Sequence, residues 1–186
     1  QALGAVRDAV APWVASPLGL PWEKLGLDPI QPYFNAGVLL VDLEVWRSES
    51  VGERCLGLLS HEKLRWGDQD ALNIVLAGGW LELPHHWNVQ TADYFGRSFS
   101  WARDPSVARA ALDRPGIIHF TETDKPWYYG SGHPDADKWF ALLDQTAWRG
   151  WRPVEPRYPL GKPLNRFATR VVNKARFVGS SQKTVD

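Results

Sequence analysis

Residues 36–43, Ala-Gly-Val-Leu-Leu-Val-Asp-Leu, form a short and almost unbroken apolar run. A run of that length without alternation predicts a strand buried on both faces, as strands lie inside α/β proteins. The period then changes. Val51, Cys55, Leu58 and Leu59 recur at i, i+4, i+7 and i+8, one apolar stripe of a helix, with Ser50 and Glu53 spaced for a capping box at its start. A second helix is expected to open at Asp68, to turn Leu72, Val75 and Leu76 inward, and to stop at Gly78-Gly79. Residues 1–8 read as a strand ending in an acid, residues 80–89 as extended, and residues 116–120 as a strand that delivers His119. Between Pro12 and Pro32 lies an irregular stretch rich in proline, glycine and tryptophan. Strands interleaved with helices predict an α/β layer architecture.

The rest of the composition narrows the function classes. A chain of 186 residues with 44% apolar and 23% charged residues can bury a core of its own. One cysteine, Cys55, leaves no internal disulfide framework and no thiolate metal cluster. Basic and acidic residues balance at 21 each, so no global charge points to nucleic acid. No apolar run approaches the ~20 residues that span a bilayer, and no charged leader followed by an apolar segment is visible. The sequence contains no methionine, which suggests a fragment or processed piece of a longer protein.

Three segments hold residue types suited to chemistry on a phosphorylated ligand. In His119-Phe120-Thr121-Glu122-Thr123-Asp124-Lys125-Pro126-Trp127, an imidazole at a strand end is followed by an ammonium in a turn. The first suits a metal and the second a phosphate. A strand-end histidine satisfied by a backbone carbonyl is the plainer account of His119. Asp68-Gln69-Asp70 opens a helix, where either acid can simply cap free N–H groups and favour the positive end of the helix dipole. Successive helical positions also diverge, so the three cannot face one ligand. Asn35 and Gly37 start the apolar strand, and turn chemistry alone would explain them.

Taken in order, Tyr33-Phe34-Asn35-Ala36-Gly37-Val38-Leu39-Leu40-Val41-Asp42-Leu43, Gly67-Asp68-Gln69-Asp70-Ala71-Leu72-Asn73 and the His119 segment resemble the C-terminal half of glycosyltransferase family 8. These are retaining nucleotide-sugar transferases that include glycogenin and bacterial lipopolysaccharide galactosyl- and glucosyltransferases. The likeness covers approximately residues 1–130 and implies a partial GT-A fold, a mixed sheet flanked by helices, in residues 1–133, with residues 134–186 as a helical extension. It implies that His119 joins a D-x-D pair on Mn²⁺ (or Mg²⁺) and that Lys125 contacts the donor diphosphate. It assigns Asp68 and Asn35 to the donor sugar, Gly37 to close approach of backbone to ligand, and Gln69 to the β-face of the anomeric carbon. Leu3-Gly4-Ala5-Val6-Arg7-Asp8 fits a family run whose acid, here Asp8, also touches the sugar. Leu83-Pro84-His85-His86-Trp87-Asn88-Val89-Gln90 is similar to a family segment in which Trp87 is structural. The glycine of the family's H-x-x-G-x-x-K-P-W pattern is Glu122 here, a departure; a carboxylate beside a diphosphate is repulsive, so the Glu122 side chain is expected to point outward. An amide oxygen is a poor nucleophile, so Gln69 is expected to stabilise and position rather than to form a covalent intermediate.

The family's uridine pocket and D-x-D pair lie upstream of the run ending at Asp8. The chain is therefore expected to be inactive alone, and its parent to transfer glucose or galactose from a UDP-hexose to a glycan or lipopolysaccharide acceptor. From Arg149 onward nine basic residues face two acids, and residues 160–178 keep the spacing of a basic amphipathic helix. That pattern suits peripheral contact with an anionic membrane, or equally a solvated packing helix, and with the family it implies a cytoplasmic protein at the inner membrane face. Asp135-Ala136-Asp137 is expected to cap a helix bearing Trp139, Phe140 and Leu143, and His85-His86 to point to opposite faces of an extended segment. The competing reading is a non-catalytic carbohydrate- or lipid-binding module built on the 11 tryptophans and the basic tail. A hydrolase is disfavoured, because no paired acids are placed for it.

Overall fold

The computed structural model describes residues 1–96, 105–121 and 124–154, divided into two compact units, Gln1–His119 and Phe120–Asp186. Glu122 and the basic stretch 160–178 lie outside the described residues.

In the first unit β1 (Leu3–Arg7) is the middle strand of three. On one side it pairs antiparallel with β2 (Phe34–Val41), in the register Leu3 to Val41 and Arg7 to Phe34 with an irregularity between Ala5 and Arg7. On the other it pairs parallel with β3 (Leu81–Glu82). A short helix, α1 (Trp22–Leu25), interrupts the loop between β1 and β2. Three helices then follow, α2 (Leu43–Ser48), α3 (Val51–His61) and α4 (Asp68–Val75). After β3 a 3-10 turn (His85–Asn88) leads into β4 (Val89–Gln90), a second 3-10 turn (Thr91–Phe95) and α5 (Pro105–Asp113). β5 (Ile118–His119) pairs parallel with β4, setting Gln90 opposite His119.

The core forms where the helical stripe meets the sheet. Leu3, Ala5 and Phe34 pack with Val51, Cys55, Ala71, Leu72, Leu76 and Trp80, and the Phe34 and Trp80 rings meet edge to face at 5.1 Å. Burial raises the Cys55 thiol above its usual range, with Arg54 pulling against that, so this cysteine behaves as a small apolar residue. A second cluster, Ala11, Val14, Leu20 and Tyr33, anchors the stretch between Pro12 and Pro32. Mixed pairing with helices packed on the sheet is the α/β architecture expected from the interleaved pattern.

Several local expectations are corrected. β2 is not buried on both faces: it lies at the sheet edge and Leu40 is 62% exposed. The Ser50–Glu53 capping box is not formed, because Ser50 takes a left-handed backbone (φ 50°) and its side chain makes no cap bond. The neighbouring helix is capped instead by Asp42, which accepts from Glu44 N and Val45 N at 3.0 and 3.1 Å. Residues 80–89 are extended only at Leu81–Glu82 and at Val89, with a 3-10 turn between, so His85 and His86 sit on a turn rather than on a strand. His85 faces the buried Asp93 at 3.1 Å, while His86 lies against the Trp87 ring.

The second unit is aromatic. Trp139 on α6 (Ala136–Leu143) contacts Trp127, Phe140 and Trp151, with centroids 5.0 to 6.5 Å apart. Asp135 precedes the helix, yet its carboxylate pairs with Lys138 at 3.1 Å and makes no side-chain cap bond. Arg152 grips Asp144 through both guanidinium nitrogens at 3.0 and 2.7 Å. That guanidinium, with Gly150 N–H, holds the Asp144 carboxyl well below the usual carboxylate range.

Candidate functional site

The site grows from the end of β1. There Asp8, 8% exposed, accepts four hydrogen bonds. Oδ1 takes Val10 N and Ala11 N, both at 2.8 Å, which turns the chain sharply away from the sheet. Oδ2 takes Asn35 Nδ2 at 3.1 Å and Gln69 Nε2 at 3.2 Å. Gln90 braces the same corner, accepting from Ala9 N and donating to Arg7 O. A buried carboxylate with every lone-pair direction used is a fixed anchor, because moving it would orphan several donors at once.

From Asp8 the polar groups run in two directions. Gln69, in the first turn of α4, accepts from Ala36 N with Oε1 at 3.0 Å, so its carboxamide is held at both ends. Asn35 Oδ1 accepts from Gly37 N and from Asn88 Nδ2, each at 3.0 Å. Asn88 Oδ1 in turn faces His119 Nδ1 at 3.0 Å. Gly37 allows the imidazole to lie against β2: a β-carbon at residue 37 would come within 1.9 Å of His119 Cε1 and 2.6 Å of Nε2. Asp8, Asn35, Gly37, Gln69 and His119 thus belong to one connected network, drawn from β1, β2, α4 and β5.

The helix triplet divides three ways, as helical divergence requires. Asp68 is exposed at the start of α4. Gln69 points to Asp8. Asp70, 2% exposed, turns inward to accept from Tyr33 Oη at 2.6 Å and from Trp66 N at 2.9 Å. Burial first, and the Asp70 bond second, push the Tyr33 hydroxyl above its ordinary range, so it stays a donor. Asn73, one turn on, bonds both Phe34 N and Phe34 O, locking α4 to β2 beside the network.

Lys125 belongs to the second unit, where its Nζ donates to Phe120 O at 2.7 Å and lies 5.3 Å from the Trp127 ring centroid. Trp87, expected to be structural, is 46% exposed, with its ring edge against Gly116. A cavity of about 390 Å³ between Pro84–His86 and α5 includes none of the network residues.

Asn88 and Gln90 are the functional candidates that the sequence reading missed. The signal was present in Trp87-Asn88-Val89-Gln90, where two amides that cannot ionise sit beside an apolar strand residue. Both are almost wholly buried, and a buried amide must have partners that fix it.

A metal can be tested against this geometry. With Nδ1 turned to a carbonyl oxygen, a neutral imidazole keeps its lone pair on Nε2, the nitrogen a divalent cation would take. His119 therefore fits as one ligand. Among the described residues no group of three or more His, Cys, Asp or Glu side chains is placed to complete a shell.

The family described as Glycosyl transferase family 8 matches residues 2–130. General stress protein A of Bacillus subtilis (strain 168) is 31% identical over 131 residues, 68% of this chain and 46% of that protein. Lipopolysaccharide 1,2-glucosyltransferase of Escherichia coli (strain K12) is 26% identical over 127 residues, 67% of this chain and 37% of that protein. Among solved structures, galactosyltransferase LgtC in complex with donor and acceptor sugar analogs superposes with a TM-score of 0.60 at 24% identity, over 83% of this chain and 53% of that one. The apo structure of the bifunctional glycosyltransferase WbbM gives 0.62 at 24% identity, over 80% and 29%. The chain spans less than half the length of each of the two curated relatives. The fold is the GT-A glycosyltransferase type, as these likenesses show.

Proposed function

The chain belongs to glycosyltransferase family 8, and from that premise we propose that the protein carrying it moves a hexose, glucose or galactose, from a UDP-sugar to a glycan or lipopolysaccharide acceptor with retention at the anomeric carbon. One observation carries the reading: Asp8, Asn35 and Gln69, the groups suited to a donor sugar, share a hydrogen-bond network with His119, the group suited to the metal.

Transfer breaks the bond between the anomeric carbon and the diphosphate oxygen and forms one to an acceptor oxygen, whose proton leaves with the diphosphate. Stabilising the negative charge on that leaving group is the chemistry a bound Mn²⁺ (or Mg²⁺) supplies, with His119 Nε2 as one ligand. Lys125 is assigned to the same diphosphate, and Asp68 to sugar hydroxyls, on the family resemblance alone. Asp8 and Asn35 are assigned to the sugar, and Gly37 to close approach of backbone, on the same resemblance. The geometry supports Asp8 as the acceptor that orients Asn35 and Gln69, and Gly37 as the space for the His119 ring. Gln69 presents an amide dipole to the β-face, where an oxocarbenium-like carbon gains positive charge. Its amide is tied by Ala36 N and Asp8, which supports a fixed stabiliser over a nucleophile.

In this reading residues 1–133 form the transferase part and 134–186 an extension, with residues 160–178 touching an anionic membrane surface at the cytoplasmic face. No helix among the described residues is long and apolar enough to cross a membrane. The test is radiolabelled sugar transfer from UDP-glucose and UDP-galactose with Mn²⁺, by the full-length protein carrying this chain and by its Gln69→Ala variant. Metal-dependent product that falls about 10²-fold or more in the variant is expected. Binding of a sugar without any transfer would favour the non-catalytic module instead. Mass-spectrometric detection of a glycosyl adduct on Gln69 or a neighbouring acid would overturn the non-covalent course.

A further inference from the structure

The connected amides have a direction, and it can be read link by link. Asp8 Oδ2 only accepts, so Asn35 must present its Nδ2 to it at 3.1 Å. Asn35 Oδ1 then accepts, and the backbone N–H of Gly37, a donor without ambiguity, reaches the same oxygen at 3.0 Å. Both neighbours therefore demand one orientation of Asn35. Asn88, 0% exposed, must donate its Nδ2 to that oxygen at 3.0 Å, which leaves its Oδ1 turned to His119 Nδ1, also at 3.0 Å. An amide oxygen only accepts, so the imidazole hydrogen sits on Nδ1.

We infer that Asn88 is a positioning residue that sets the tautomer of His119, relaying the orientation fixed by the Asp8 carboxylate so that the Nε2 lone pair is presented to the metal. This rests on the reading of His119 as a metal ligand. Histidine in water favours the hydrogen on Nε2, the wrong nitrogen for that task, and the network reverses the preference before any ion arrives. The physical gain is pre-organisation: a ligand in the wrong tautomer must move its proton before it can bind.

The experiment is long-range ¹H–¹⁵N correlation on [¹⁵N]histidine-labelled protein at a pH where imidazole is neutral, with His119 identified by its loss in His119→Ala. In the wild type the Nδ1–H form is expected. Asn88→Leu removes the accepting oxygen and is expected to shift His119 towards Nε2–H. Asn88→Asp keeps an acceptor and is expected to retain Nδ1–H. Manganese titration followed by paramagnetic broadening of the same resonance is expected to show about 10–100-fold weaker binding in Asn88→Leu. Nε2–H in the wild type, or the same tautomer in both Asn88 variants, would overturn the inference. Manganese that fails to broaden His119 at all, in protein whose tautomers behave as stated, sinks the metal-ligand reading and leaves the relay standing.

Discussion

Gly37 and His119 are packed so closely that a β-carbon on the first would lie 1.9 Å from Cε1 of the second. The ring cannot swing aside cheaply, because Asn88 holds its Nδ1. Gly37→Ala should therefore displace the imidazole or push β2 outward. An overpacking cost of about 1–3 kcal/mol is expected in chemical denaturation. Transfer activity should fall about 10²-fold, the size of effect that a 1 Å misplacement produces. A variant with wild-type activity would show that the imidazole position is immaterial to the reaction.

Asp8 is the acceptor on which the network converges. Asp8→Ala orphans Asn35 Nδ2, Gln69 Nε2 and the Val10 and Ala11 N–H groups together. At about 1–3 kcal/mol for each buried group left unsatisfied, with water repairing some, a net loss of about 3 kcal/mol is expected by urea denaturation. Asp8→Asn should cost less but also lower activity, since one of its two terminal atoms can no longer accept. Equal stability of wild type and Asp8→Ala would contradict the anchoring role.

Tyr33 and Asp70 form a second polar pair, at 2.6 Å, adjoining the Gln69 side of the network. Tyr33→Phe leaves a buried carboxylate with one fewer donor. Hydrogen bonds to charged groups contribute about 1.5–3 kcal/mol, and a loss within that range is the expected outcome in thermal or urea unfolding. The hydroxyl also interacts with the Gln69 side chain, so transfer activity per folded molecule is expected to fall along with stability, and unchanged activity would show that this contact does not position Gln69.

His133 makes the second unit sensitive to acid. Burial lowers its pKa from 6.5 to about 4, with Asp135 and Asp124 opposing that and Lys138 adding to it. Its Nδ1 accepts from Asp135 N at 3.1 Å, a bond that the neutral ring supports. Between those two pKa values the unfolded chain binds a proton that the folded chain does not, so stability falls as pH drops from about 6.5 to about 4 and then levels off. At about 1.4 kcal/mol per pH unit the contribution lost is roughly 3 kcal/mol. Circular dichroism melts across this window should show the decline in wild type and a flatter dependence in His133→Asn. Parallel curves for the two proteins would refute the assignment.

Much of the secondary structure was legible from period alone. Leu72, Val75 and Leu76 announce α4, and the apolar run of residues 36–43 announces a strand, because burial of one face imposes spacing on the residue types. Period reports which face is apolar, not how fully it is covered, so the exposure of Leu40 at the sheet edge was not readable. Nor was the left-handed backbone of Ser50, which overrides a correctly spaced capping pair.

The sequence by itself determined the chemical inventory: the order of Asp8, Asn35, Gly37, Asp68-Gln69, His119 and Lys125, and the family that this order resembles. Only the tertiary structure decided which of these groups share bonds, and it gave Asn88, one of two amides flanking Val89, its partners Asn35 and His119. The reason is physical. The links join residues 27, 61, 53 and 31 positions apart, so each exists only after β1, β2, α4 and β5 have taken their register. A polar side chain in sequence is a set of donors and acceptors, and burial among fixed neighbours gives that set a direction.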